Sequence, residues 1–134
     1  MIDVDQFKRF NDDHGHVAGD DALRIMAVEL ERTLQRPRDL VARYGGEELA
    51  ALLADTDRDG AMRLAERMRA RIEALGIRHK TGEAPVVTIS LGVASEVPGP
   101  DSSAQQLVKR ADAALYRAKE LGRNRVEAAP PVRD

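Results

Sequence analysis

The stretch RYGGEELAALLA, residues 43–54, sets two glycines before two glutamates and then runs into apolar residues. A solubilising loop has no need of that order. Residues 40–44 and 49–53 both read as strands, and the Gly-Gly-Glu-Glu segment between them reads as the turn of a β-hairpin. The hairpin tip therefore presents Glu47 and Glu48 beside a strand of core character.

Three helical stripes surround this hairpin. Leu23, Met26, Ala27, Leu30 and Leu34 recur at three and four residues, which predicts an amphipathic helix over 20–34 that Pro37 helps to end. Ala61, Leu64, Ala65, Met68, Ile72 and Leu75 predict a second, closed by Gly76. Leu107, Ala111, Ala114, Leu115, Ala118 and Leu121 predict a third, closed by Gly122 and opened by a capping box of Ser102 and Gln105. VVTISLGVA, residues 86–94, reads as an inner strand. Residues 1–4 form a strand stub and 125–127 a short edge strand. The order β, α, hairpin, α, β, α, β implies an α+β fold, a mainly antiparallel central sheet flanked by helices. One domain is expected over 1–127, with 128–134 (AAPPVRD) as a disordered tail.

Composition narrows the function classes. The chain has 134 residues, 43% of them hydrophobic, enough for one core. Its formal net charge of -2 argues against a nucleic-acid-coating domain. It has no cysteine, so a disulfide framework, a thiolate zinc site and a cysteine nucleophile are all excluded. That composition suits a reducing, cytoplasmic compartment. No apolar run approaches the ~20 residues that span a membrane, and no signal-peptide pattern precedes the first acids.

The acids suggest chemistry. Asp3 and Asp5 straddle Val4 at the end of the first strand, so their side chains share a face unless the chain turns at Asp5. If that strand lies beside the hairpin, Asp3 converges with one of the two glutamates. Converging carboxylates repel unless a cation or proton separates them. Mg²⁺ commonly takes one or two carboxylates plus substrate phosphates. Two readings stay open on spacing alone. One is a Mg²⁺–nucleotide site; the other makes Glu47 and Glu48 turn acids and Asp5 a helix cap. Gly45 and Gly46 supply the positive φ of a tight turn, or let a bulky ligand approach the backbone, or both.

These residues resemble the GGDEF family, the diguanylate cyclases. DVDQFKRFND, GHVAGDDAL, RPRDLVARYGGEEL, VTISLGVA and RADAALYRAKELGRNRV match the family in order and cover nearly the whole chain. The resemblance implies a fold like that of class III adenylyl cyclases and polymerase palm domains. It implies condensation of two GTP molecules into cyclic di-GMP with release of two pyrophosphates. Each of two facing subunits would hold one GTP, so a homodimer is needed. Neither a nucleic-acid partner nor a membrane segment is implied.

Residue by residue, Asp3 matches the first-strand metal ligand and Val4 the backbone carbonyl ligand. Glu47 matches the signature acid that binds metal and is proposed as base for the 3′-hydroxyl; Glu48 matches the second signature acid. The metal implied is Mg²⁺, with Mn²⁺ as an alternative. Lys8 matches the transition-state lysine, which the residues alone would leave as a solvated side chain. Asn11 and Asp20 match guanine-contacting positions; their bland readings are a turn residue and a helix N-cap. His16 matches a substrate-site histidine. Lys119 and Arg123 match cations on the terminal phosphates, against a helix C-terminal reading. Arg36 and Asp39, an Arg-x-x-Asp pair, match the product-inhibition site that takes cyclic di-GMP, with Arg67 as a secondary arginine; the competing reading is a surface salt bridge. The second function class is a nucleotide-binding receptor without turnover.

Two departures stand out. The signature ends in Leu49 where the family usually has phenylalanine, which keeps the position apolar at some cost in packing. Family domains usually carry an extra helix and loop before the first strand, whereas this sequence opens at Met1-Ile2-Asp3. The expected fold therefore lacks that N-terminal helix.

Overall fold

The computed structural model describes residues 1–81 and 84–132. Among these described residues four helices and five strands follow in the order β1 (Ile2–Val4), α1 (Phe7–His14), α2 (His16–Thr33), β2 (Leu40–Gly45), β3 (Glu48–Leu52), α3 (Arg58–Ala74), β4 (Ile89–Val93), α4 (Ala104–Glu120) and β5 (Val126–Ala128). The strands form one sheet ordered β2-β3-β1-β4-β5. All neighbours are antiparallel except β4 and β5. The expected α+β architecture is present, and the short first strand is its central strand.

Alternation along β1 divides the two faces. Ile2 and Val4 point into the main core, with Met26 and Leu30 of α2, Met68 and Ile72 of α3, and Leu49, Ile89 and Leu91 of the sheet. Asp3 points to the opposite face, where it meets Lys119 of α4. A Cβ on Gly92 of β4 would lie 2.1 Å from the Ala111 carbonyl oxygen, so only glycine lets α4 settle this close to the sheet. That close seat brings the last turn of α4 over β1.

Several boundaries differ from expectation. Helix α1 was not foreseen. Its eight residues hold only two buried apolar side chains, Phe7 and Phe10, too few for a periodic stripe. Gly15 separates α1 from α2, so α2 begins at His16 rather than residue 20. Helix α3 starts at Arg58 because Asp57 caps it, accepting from the Gly60 N–H at 2.7 Å. Ser102 forms no capping box; its hydroxyl accepts from the Gly99 N–H at 2.8 Å, and Ser103 is the N-cap of α4. Strand β4 is shorter than residues 86–94, with Val86 in an isolated bridge to Arg78. At the other end, β5 includes Ala128, and buried Ala129 donates its N–H to the Val93 oxygen at 2.7 Å. Residues 133 and 134 of the expected tail lie outside the described residues.

Candidate active site

Strand register builds the acidic centre. Asp3 of β1 lies directly opposite Glu48 of β3, and opposite Ser90 of β4 on its other side. Directly paired residues share a face, so Asp3 and Glu48 stand side by side beneath α4. Leu49, one residue on, points the other way into the core opposite Ile2. The order acid then apolar in the hairpin thus follows from the period-two alternation of a strand with one face on the core and one on the site.

Asp3 is buried, with 6% of its surface exposed. Its Oδ2 pairs with the Lys119 ammonium, while Oδ1 is buried without a hydrogen-bond partner among the described residues. Burial pushes the Asp3 carboxyl above its ordinary value of 3.8; Lys119 opposes this, and the charges of Glu47 and Asp5 reinforce it. Burial likewise raises the Glu48 carboxyl above 4.5, with Asp3, Asp112 and Glu47 adding to the shift against Lys119. Asp112, one face of α4 above Lys119, is an acid that sequence patterns did not single out.

Glu47 occupies the turn itself, half-buried. Gly46 alone of the two glycines has a positive φ, 53°, whereas Gly45 ends β2 beside a bulge, so the expectation that both supply positive φ is corrected. A Cβ on either would meet nothing within 4 Å, which leaves the space above the turn open. Among the described residues no three acid or imidazole side chains converge on one point. The expected metal set needs fewer, Asp3 and Glu47 with the Val4 carbonyl. An orphaned buried carboxylate oxygen with acids on both sides is a hard anionic donor set, which fits Mg²⁺.

The other candidates fall into three groups. Lys8 is exposed on α1, three residues from Asn11. Asn11 lies in that helix rather than a turn, and its buried Oδ1 has no partner among the described residues. It packs on Gly19 of α2 so closely that a Cβ there would come 1.7 Å from Oδ1. His16 and Asp20 are exposed on α2, and Asp20 lies inside the helix rather than at its N-cap. Sequence reasoning missed the Asn11–Gly19 contact, because the helix expected over 20–34 left Gly19 ahead of it.

Lys119 and exposed Arg123 flank the end of α4. Asp5 does not cap α1; Gln6 holds the N-cap position without a side-chain bond. The buried Asp5 carboxylate instead accepts from Thr88 Oγ1 at 2.7 Å, Ser90 Oγ at 2.6 Å and the Asn124 N–H at 3.0 Å.

Arg36, Asp39 and Arg67 come together on a separate cleft of 430 Å³, also lined by Thr33, Thr56 and Asp57. The Arg36 Nε donates to Asp39 Oδ2 at 3.2 Å, and its Nη2 reaches the Ala54 carbonyl and Thr56 hydroxyl. Asp39 in turn accepts the Ala54 N–H at 2.9 Å. The pair is thus more than a surface salt bridge, because it staples the loop before β2 to the loop after β3.

Comparison with known proteins agrees with this fold. Residues 1–125 match the family model described as diguanylate cyclase, GGDEF domain. The chain is 45% identical over 129 residues to diguanylate cyclase DgcP of Pseudomonas aeruginosa, covering 96% of this chain and 19% of that protein. Diguanylate cyclase DgcM of Escherichia coli is also 45% identical over 129 residues, 96% of this chain and 30% of its own length. Among solved structures, the active GGEEF domain of a diguanylate cyclase from Vibrio cholerae superposes with a TM-score of 0.85 at 31% identity, over 98% of this chain and 81% of that one. The GGDEF domain of DgcB from Caulobacter crescentus, in complex with c-di-GMP, gives 0.83 at 35% identity, over 95% and 74%. The chain spans 19% and 30% of the two curated relatives' length.

Proposed function

Because the chain belongs to the GGDEF family of diguanylate cyclases, we propose that it carries one half-site for condensing two GTP into cyclic di-GMP. The observation that carries this reading is Asp3 opposite Glu48 with an unpartnered buried oxygen and a lysine from α4 on the same carboxylate. Asn11 and Asp20 hold the guanine, whose edge offers both acceptors and donors. Lys119 and Arg123 hold the β- and γ-phosphates, and Lys8 lies on the exposed side of α1 for the developing charge. Bound Mg²⁺ offsets charge on the triphosphate and in the transition state.

The 3′-hydroxyl oxygen of one GTP forms a bond to the α-phosphorus of the other, and the bond to the bridging oxygen breaks as pyrophosphate leaves. The hydroxyl proton passes to the carboxylate pair, Glu47 or Glu48. Burial, reinforced by the charges of Asp3 and Asp112, raises the proton affinity of Glu48, which suits that task. One subunit holds only one GTP, so two copies must face each other for the two bonds to form. The test is incubation of the purified chain, alone and fused to a dimerising coiled coil, with GTP and Mg²⁺, followed by chromatography. Cyclic di-GMP from the dimerised form is expected; its absence there overturns the proposal.

A second reading rests on the cleft that gathers Arg36, Asp39 and Arg67. Arginine suits both phosphate and a purine edge. In this reading the cleft takes cyclic di-GMP, as product inhibitor of an active enzyme or as ligand of a receptor without turnover. Calorimetry with cyclic di-GMP decides, and heat that is absent or unchanged by Arg36→Ala removes it.

A further inference from the structure

The loop between α4 and β5 is held by a network that the roles above leave unused. Arg123 and Asn124 are consecutive non-glycine residues with positive φ, 63° and 47°. Such a pair is unfavourable for L side chains and persists only where surrounding contacts fix it. The contacts are present and all converge on Asn124. Its N–H donates to the buried Asp5 carboxylate at 3.0 Å. Its Oδ1 accepts from Arg69 of α3 at 2.9 Å, and its Nδ2 donates to Glu73 of the same helix. Arg69 is itself clamped by Glu66, at 2.6 Å to Oε1. Asp5 is tied to β4 through Thr88 and Ser90.

We propose that Asn124, anchored by Asp5 and Arg69, is a positioning residue that fixes Arg123 relative to Asp3 for gripping the triphosphate. Asp5 lies two residues beyond Asp3, in the turn that follows the strand carrying the acidic centre. Asn124 directly follows Arg123, whose own N–H caps α4 by donating to the Ala118 oxygen at 3.0 Å. The Asp5–Asn124 bond therefore links the metal-side carboxylate to the phosphate-side cation by two short covalent steps and one partly buried hydrogen bond. Arg69 and Glu73 hold the asparagine side chain from the other side, so the loop cannot swing without breaking bonds to two elements. This inference rests on the GTP reading, since it assigns the held arginine to the terminal phosphates.

The test compares Mg²⁺-dependent binding of a non-hydrolysable GTP analogue and of GMP by calorimetry, alongside thermal melts. Wild type is expected to prefer the triphosphate. Asn124→Gly tolerates the left-handed backbone and keeps the N–H to Asp5 while losing both side-chain anchors, so it should fold. It is expected to cut the triphosphate-over-monophosphate preference about tenfold, toward that of Arg123→Ala, with GMP affinity unchanged. Arg69→Ala, which leaves the loop sequence intact, should cut it in the same direction. A wild type without triphosphate preference overturns the GTP reading itself. A wild-type preference that both variants retain overturns the positioning role alone, and so does an equal loss for both nucleotides, which marks a merely structural effect.

Discussion

Asp3 and Glu48 face each other across the β1–β3 ladder, and both carboxyls are raised above their ordinary values, 3.8 and 4.5. Their ionisation therefore opposes the fold. That cost is absent below the ordinary values and grows as pH rises through the folded-state values. A bound divalent cation favours the ionised forms and offsets it. Mg²⁺ is accordingly expected to raise Tm near neutral pH and to lose this effect as pH falls below 3.8, where both acids hold protons. Melts with Mg²⁺ and with chelator at each pH check this; a Mg²⁺ shift independent of pH would contradict it.

Lys119 competes for the same carboxylate. In the absence of a cation its ammonium is the counter-charge on Asp3 Oδ2. Lys119→Met should cost about 1–2 kcal/mol without Mg²⁺, less than a fully buried pair because the lysine side chain is 33% exposed. Added Mg²⁺ should recover more stability in the variant than in wild type, since the cation no longer displaces an ion pair. Denaturant titrations with and without Mg²⁺ measure the difference, and equal recovery in both proteins would show that Lys119 and the cation do not share Asp3.

Much of this site was legible in the sequence, for reasons that differ by residue. The hairpin follows from a turn whose composition allows only a few geometries, and strand alternation makes Asp3 meet a glutamate once the first strand lies beside it; the central place of that strand, and Glu48 as the partner, came only with the sheet order. The helices α2, α3 and α4 followed from stripes long enough to show a period. Helix α1 did not, since two phenylalanines three apart fit several structures. Asp5 was ambiguous for a physical reason. A carboxylate at a strand end can cap the next helix or reach back across the sheet, and here the hydroxyls of Thr88 and Ser90, 83 and 85 residues away, decide between them. Local patterning carries no record of such distant partners.

Gly19→Ala sets two effects against each other. Alanine inside α2 gains about 1 kcal/mol of helix propensity. Its Cβ would also overlap Asn11 Oδ1 at 1.7 Å and approach Phe7 Cζ at 3.2 Å. The Asn11 carboxamide is a flexible side-chain end, so it moves rather than the helices. Stability should change by less than about 1 kcal/mol while affinity for a GTP analogue falls about tenfold or more. Melts and calorimetry on one preparation separate the two, and unchanged affinity would release Asn11 from the guanine site.

Leu49 is 4% exposed and packs in the core opposite Ile2. Its neighbours close around leucine, so introducing the family's usual phenylalanine should overpack the site. Leu49→Phe is expected to cost about 1–3 kcal/mol and Leu49→Ala about 2–5 kcal/mol in urea unfolding. A Phe variant more stable than wild type would reveal unfilled space beneath the hairpin.

Arg36 and Arg67 line the same cleft but differ in what they hold. Arg36 bonds Asp39, the Ala54 carbonyl and Thr56, joining two loops. Arg67 is exposed on α3 and makes no hydrogen bond or ion pair among the described residues. Arg36→Ala strips Asp39 of its counter-charge while the Ala54 N–H still holds it. The variant should lose about 1–2 kcal/mol of stability together with affinity for cyclic di-GMP. Arg67→Ala should melt like wild type yet bind cyclic di-GMP several-fold more weakly, because its guanidinium is free to meet phosphate or a purine edge. Calorimetry and melts on both variants give the answer. If Arg67→Ala binds as wild type does while Arg36→Ala loses both properties, the cleft acts through loop integrity and the direct arginine contact is refuted.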